Sequence, residues 1–178
     1  MRKLMLILVL SAFCLGNSNG APTCEETKAW LAREMDNRLV ETSYDHTQLF
    51  QNSFLKYREF TTITFEGEYV VFRTTFKRFN NEGVLEERTL RGPVSEMIVE
   101  TFGNTPDKFD EFVILFTDRA TGTYEAPAFG IAKRSYSKNN DSMHLQVAQP
   151  GDHAYGERIF KALQNLVSQC PKVNNDPF

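Results

Sequence analysis

Three histidines, His46, His144 and His153, are the side chains of this 178-residue chain that could serve as imidazole bases or metal ligands near neutral pH. No two of them stand four residues apart, which is the spacing that puts two metal ligands on one face of a helix. His153 also follows Asp152 at the expected start of a helix, where an aspartate acts as an N-cap. The sequence therefore gives no catalytic or metal-ligating histidine.

The adjacent carboxylates do not form a catalytic pair either. Glu25 and Glu26 fall in the first turn of a predicted helix, where negative charge is favoured by the helix dipole. Glu86 and Glu87 are neighbours on a predicted strand, so their side chains point to opposite faces. The chain has no Gly-x-Ser-x-Gly nucleophile motif and no glycine-rich phosphate or dinucleotide loop. We predict no catalytic or cofactor-binding residue and expect no cofactor.

The cysteines point to a disulfide instead. Of the three, Cys14 lies in an N-terminal segment that we expect to be removed, which leaves Cys24 and Cys170. Two cysteines in an exported chain are most simply a disulfide. The alternative is two buried free thiols that act as small apolar residues. We predict the Cys24–Cys170 disulfide, which would join the first helix to the last.

Residues 1–20 have the organisation of a signal peptide. Positive residues 2–3 precede an uncharged apolar run at 4–15, and Ser18 and Gly20 supply the small side chains of a cleavage site. The apolar run is shorter than the roughly 20 residues that span a bilayer. An uncleaved membrane anchor is the alternative. We predict cleavage after Gly20 and export to the periplasm or the extracellular space.

Charge excludes one class of partner. The whole chain carries 20 Lys and Arg against 23 Asp and Glu, a net charge of −3. Removing residues 1–20 takes away two bases and no acid, which leaves 18 against 23, or −5. Acidic and basic residues are interspersed, so the basic stripe that nucleic-acid binding requires is missing. We expect a single α+β domain over residues 21–171, a flexible tail over 172–178, and no stable membrane insertion of the mature chain.

Two amphipathic helices are predicted at the ends of this domain. Thr23 and Glu26 form a capping-box pattern, and Leu31, Met35 and Leu39 repeat every four residues, which predicts a helix ending near residue 40. A second helix begins at Asp152 and is stopped by Pro171. Its apolar face is formed by Tyr155, Ile159, Leu163, Leu166 and Cys170.

Between the helices the sequence alternates in the manner of an antiparallel sheet. Residues 84–91 carry charge on both faces, which is typical of an exposed edge strand. A four-residue loop before them would place Lys77 opposite Glu86. Residues 94–102 fit either a strand or a short helix, and residues 120–127 read as irregular. The predicted strands are residues 60–65, 69–79, 84–91, 112–116, 129–136 and 143–148.

The predicted fold class is α+β, with one curved or barrel-like antiparallel sheet of about six or seven strands between an N-terminal and a C-terminal helix. Residues 23–31, TCEETKAWL, resemble the opening of small exported bacterial proteins, and residues 158–170, RIFKALQNLVSQC, are similar to their closing helix. The resemblance covers about 22 residues and implies a pleckstrin-homology-like barrel. It implies no activity.

We favour a non-catalytic, exported binding or interaction module. Its partner would be another protein or a small apolar ligand held by the aromatic-rich sheet, although those aromatic side chains could equally fill the interior. The alternative is an extracytoplasmic hydrolase or metal-dependent enzyme whose catalytic residues are dispersed along the chain.

Overall fold

The computed structural model describes residues 22–45, 54–78, 83–101, 111–117, 120–149 and 152–170. The predicted signal peptide (1–20), the tail (172–178) and His46 lie outside the described residues. The described chain forms two helices and nine antiparallel strands, which is the α+β class expected from the sequence.

The helices bracket the strands in sequence. They are α1 (Cys24–Glu34) and α2 (His153–Gln169). The strands are β1 (Arg38–Asp45), β2 (Phe54–Glu66), β3 (Tyr69–Arg78), β4 (Val84–Pro93), β5 (Met97–Thr101), β6 (Glu111–Phe116), β7 (Ala120–Ala126), β8 (Ile131–Lys138) and β9 (Asp141–Gln146). Short 3-10 helices cover Val94–Glu96 and Pro127–Phe129.

The predicted start of α1 is confirmed, but its predicted end near residue 40 is wrong. Thr23 and Glu26 form the reciprocal hydrogen bonds of a capping box. The helix stops at Glu34 because the chain turns through Asn37, which has a left-handed backbone (φ 53°), and then enters β1. Leu39, the third member of the apolar repeat, therefore lies on a strand and is 38% exposed.

The strands form two sheets that meet at a shared bend. The six-stranded sheet has the order β1-β2-β3-β4-β7-β8, and the three-stranded sheet has the order β5-β6-β9. Three pairs of consecutive strands, β4 with β5, β6 with β7 and β8 with β9, each pass from one sheet to the other within a few residues. The Thr117 N–H donates to the Glu96 carbonyl at 3.5 Å, and the Asn140 N–H donates to the Thr117 carbonyl at 3.3 Å, so backbone bonds link the three crossings.

The prediction of one curved or barrel-like sheet of about six or seven strands is correct only in its antiparallel character. The described residues form nine strands in two sheets, and these are not closed into a barrel. Where β9 approaches β2, side chains replace the strand-to-strand hydrogen bonds that closure would need. The Gln146 N–H donates to the carboxylate of Glu59 at 3.3 Å, and the hydroxyl of Thr61 donates to the Gln146 carbonyl at 3.3 Å. We call this junction, made by Glu59, Thr61 and Gln146, the seam.

Three predictions about the strands are wrong. β4 is not an edge strand, since it lies between β3 and β7, and its charges are matched by neighbours such as Arg73, which pairs with Glu87 at 3.5 Å. Lys77 faces Val84 and not Glu86, because the register of β3 and β4 shifts after Phe76. Residues 120–126, expected to be irregular, form β7, and residues 94–101 contain both a helical turn and a strand.

The core lies between the two sheets and the helices. The ring centroids of Phe72 and Phe116, one from each sheet, lie 6.3 Å apart. The ring centroids of Phe112 and of Phe160 on α2 lie 5.4 Å apart. Gly92 leaves the space that the Phe116 ring occupies, since a Cβ at this position would overlap that ring. The core is therefore built from these phenylalanines together with aliphatic side chains such as Ile63, Leu90 and Leu163.

Candidate functional site

The helices α1 and α2 pack antiparallel and are tied at both ends. Cys24 at the start of α1 and Cys170 at the end of α2 form a disulfide, with Cα atoms 5.1 Å apart. Beside it, the amide of Asn165 donates to the Thr27 hydroxyl at 3.2 Å and to the Pro22 carbonyl at 3.3 Å. At the other end the Tyr155 hydroxyl donates to the Glu34 carbonyl at 3.2 Å.

A groove of about 670 Å³ runs along the outer side of this helix pair, and its surface is predominantly apolar. We call it the interhelical groove. Trp30, the only tryptophan of the chain, packs against the core cluster and also lines the groove. The volume is in the range of small-ligand sites. The lining residues are Pro22, Glu26, Thr27 and Trp30 from α1 and the segment before it, and Arg158, Lys161, Ala162 and Asn165 from α2.

The charged groups of the groove are unevenly divided between the helices. α2 contributes two cations, Arg158 and Lys161. Arg158 lies 5.3 Å from the centroid of the Tyr155 ring, and Lys161 pairs with Glu157 at 2.7 Å. Both members of that ion pair are substantially exposed, so the pair is weak in water and can exchange with another anion.

The single acid of the groove already has a structural role. Glu26 accepts hydrogen bonds from the backbone N–H and the hydroxyl of Thr23, both at 2.9 Å, and these bonds lower the pKa of Glu26. Because the helices are antiparallel, Glu26 lies towards the disulfide end and Arg158 towards the opposite end. The groove thus combines an apolar surface with positive charge at one end.

A second polar cluster lies at the seam. Glu59 is only 5% exposed, and burial raises the pKa of its carboxyl to about 7. The nearby Glu111 also raises this pKa, whereas the Gln146 N–H, His144 and Thr61 lower it. His144 Nδ1 pairs with Glu111 at 2.9 Å. The cluster brings one histidine together with two carboxylates that the sequence did not connect.

The other residues weighed from the sequence have structural partners. Asp152 accepts from the Tyr155 N–H at 3.4 Å and so caps α2, as predicted. Glu25 pairs with Lys28 at 2.8 Å. Glu86 contacts Arg88 on one face of the sheet, whereas Glu87 hydrogen-bonds to Thr75 on the other face.

Sequence reasoning missed both the groove and the seam. In the sequence, Trp30 and Ala162 are apolar residues beside the core-facing apolar positions of their helices. Apolar residues at such flanking positions are the signal that could have indicated a second apolar surface facing away from the core. Glu59 gave no signal, because its burial depends on β9, which is 82 or more residues away in sequence.

No protein-family model, curated protein or solved structure matches the chain. Among the described residues, no group of three or more His, Cys, Asp or Glu side chains is placed to hold a metal ion. Within the same part of the chain, neither helix is long and apolar enough to cross a membrane.

Proposed function

We propose that this protein is an exported, non-catalytic binding module that holds an anionic amphiphile, such as a medium-chain carboxylic acid, in the interhelical groove. The observation that carries the proposal is the apolar groove of about 670 Å³ with Arg158 and Lys161 on one helix. The apolar body of the ligand would cover Trp30 and Ala162. Its carboxylate would lie between the two cations.

The dimensions of the groove suit a short ligand. Residues 158–165 of α2 span about 10 Å at roughly 1.5 Å per residue, which corresponds to a chain of about eight carbon atoms. Transfer of such a chain from water to an apolar surface is favourable by about 0.8 kcal/mol for each fully buried CH₂ group. The cations would add selectivity for the headgroup more than affinity.

Export is supported by the N-terminal sequence pattern and by the disulfide, since disulfides persist in oxidising compartments outside the cytoplasm. The resemblance of the two terminal helix motifs to exported bacterial proteins of pleckstrin-homology-like plan points the same way. The bent sheet with a helix at each end is in keeping with that plan, although the sheet is open.

The alternative of a dispersed catalytic site receives less support. The carboxylate of Glu59 is buried and accepts the Gln146 N–H, and His144 Nδ1 is engaged by Glu111. The cluster is thus explained by its role in joining β9 to β2 through Glu59 and to β6 through Glu111.

The proposal is tested by titrating the mature protein with decanoate while the fluorescence of Trp30 is recorded. We expect a saturable change, and about 10-fold weaker binding of 1-decanol and decylamine, because these lack the charge that the two cations attract. Arg158→Gln/Lys161→Gln should reduce the preference for decanoate, and Ala162→Phe should reduce binding of all three probes by filling the groove.

Arg33→Gln is the matched control, because Arg33 lies on α1 outside the groove lining and its side chain is 72% exposed. It should bind all three probes as the unmodified protein does. No saturable response to any probe would refute ligand binding in the groove. Equal affinity for the three headgroups would refute the anionic class of ligand.

A further inference from the structure

Strand β8 forms one edge of the six-stranded sheet and is open to solvent along nearly its whole length. Among the described strands it pairs with β7 alone, which leaves its other side without a neighbouring strand from that part of the chain. Residues 132–138 are all exposed, and Ile131 is half-buried. An edge strand presents backbone N–H and C=O groups that can pair with another strand.

The other edge strands whose side chains are all described are covered or bonded. β5 packs against α2, and β9 is bonded through Gln146 to the side chains of Glu59 and Thr61. β8 differs because its side chains are exposed on both faces of the sheet and its outer backbone edge is exposed as well. A partner could therefore lie alongside β8 without displacing any described element.

The charge of β8 restricts which partner would fit. The strand, IAKRSYSK, contains Lys133, Arg134 and Lys138 and no acid, in a chain whose net charge is −3. Lys133 points to the opposite face from Arg134 and Lys138, so cations flank the free edge on both faces. Like charges would oppose pairing of β8 with β8 of a second copy.

We propose that β8 is a docking edge for an extended, acidic segment of a partner protein, which adds to the sheet as a further strand. Backbone hydrogen bonds would supply the affinity, and ion pairs with Lys133, Arg134 and Lys138 would select the acidic sequence. This site is independent of the interhelical groove, because no residue of β8 lines that groove.

The probe is a fluorescent eight-residue peptide of threonine and valine with three glutamates, titrated against the mature protein by anisotropy at low salt. We expect saturable binding, at least about 10-fold weaker for the same peptide with lysines in place of the glutamates, and weaker again as salt is raised. Lys133→Glu/Arg134→Glu should weaken binding of the acidic peptide by a similar factor. Arg33→Glu, on α1, should not.

Two N-methylated peptides separate strand addition from plain charge attraction. In an added strand, only alternate N–H groups face the neighbouring strand. Methylating the nitrogens of odd-numbered residues in one peptide and even-numbered residues in the other should therefore abolish binding of one and spare the other. If the two methylated peptides bind equally well, or if neither binds, strand addition is refuted. Failure of the unmethylated acidic peptide to bind would refute it as well. The thermal unfolding midpoint of each protein variant shows that it is folded before it is compared.

Discussion

Replacing Glu59 by glutamine should stabilise the protein, and the gain should grow as the pH rises. Glu59 is the buried carboxyl of the seam, and glutamine keeps an oxygen that can accept the Gln146 N–H. The groups facing it come from three strands: Thr61 from β2, Glu111 from β6, and His144 and Gln146 from β9. The substitution thus removes a charge while the hydrogen bond is preserved.

The sign and size follow from the pKa of Glu59. Burial raises it from an ordinary value of 4.5 to about 7 in the folded protein. Below pH 4.5 the carboxyl is protonated in both the folded and the unfolded chain. Between pH 4.5 and 7 the unfolded chain releases this proton more readily, so the free energy of unfolding falls as the pH rises, and above pH 7 the loss is complete. At about 1.4 kcal/mol per pKa unit, the total is about 3 kcal/mol.

The assay is urea unfolding of the unmodified protein and of Glu59→Gln at intervals from pH 4 to pH 8. The advantage of Glu59→Gln in unfolding free energy should increase by about 3 kcal/mol over this range. Glu68→Gln, which removes a carboxylate from an exposed turn, provides the baseline. A difference that stays constant with pH, or that moves in favour of the unmodified protein, would show that Glu59 is not buried as an acid in the seam.

Two further predictions concern the framework. Cys24→Ser/Cys170→Ser should lower the free energy of unfolding by about 2–5 kcal/mol, because the disulfide closes a loop with a sequence separation of 146 residues; equal urea midpoints for the oxidised and the double-serine protein would contradict this. Gly92→Ala should cost about 1–3 kcal/mol, because the new methyl group overlaps the Phe116 ring. In Gly92→Ala/Phe116→Ala, which removes the ring atoms that the new methyl group overlaps, the loss should be smaller than the sum of the single losses. Strict additivity in urea unfolding would place the two residues out of contact.

The sequence predicted best those features that are set by neighbouring residues. The capping box of α1 and the Asp152 cap of α2 each depend on a few adjacent side chains. The disulfide followed from a count of cysteines and an expected compartment, without any geometry.

Features that depend on distant pairing were missed or misplaced. β7 read as irregular because of its glycine, yet Gly122 is needed where the Tyr136 ring of β8 lies against the strand. The charges of β4 suggested an edge, because the partners that match them lie on other strands, such as Arg91 with Glu66 at 2.9 Å. The groove could not be predicted from either helix alone, since it exists only through their antiparallel packing.

The disulfide also determines how the domain would respond to mechanical force. Because the Cα atoms of Cys24 and Cys170 lie 5.1 Å apart, tension applied to the chain outside them passes through one covalent bridge and not through the sheets. With the bridge intact, a pull on the two ends cannot draw out the residues between the cysteines. Once it is reduced, the 146-residue separation could extend to about 500 Å at roughly 3.4 Å per residue. In a single-molecule pulling experiment, the oxidised domain should behave as an inextensible link and the reduced domain as a long elastic one.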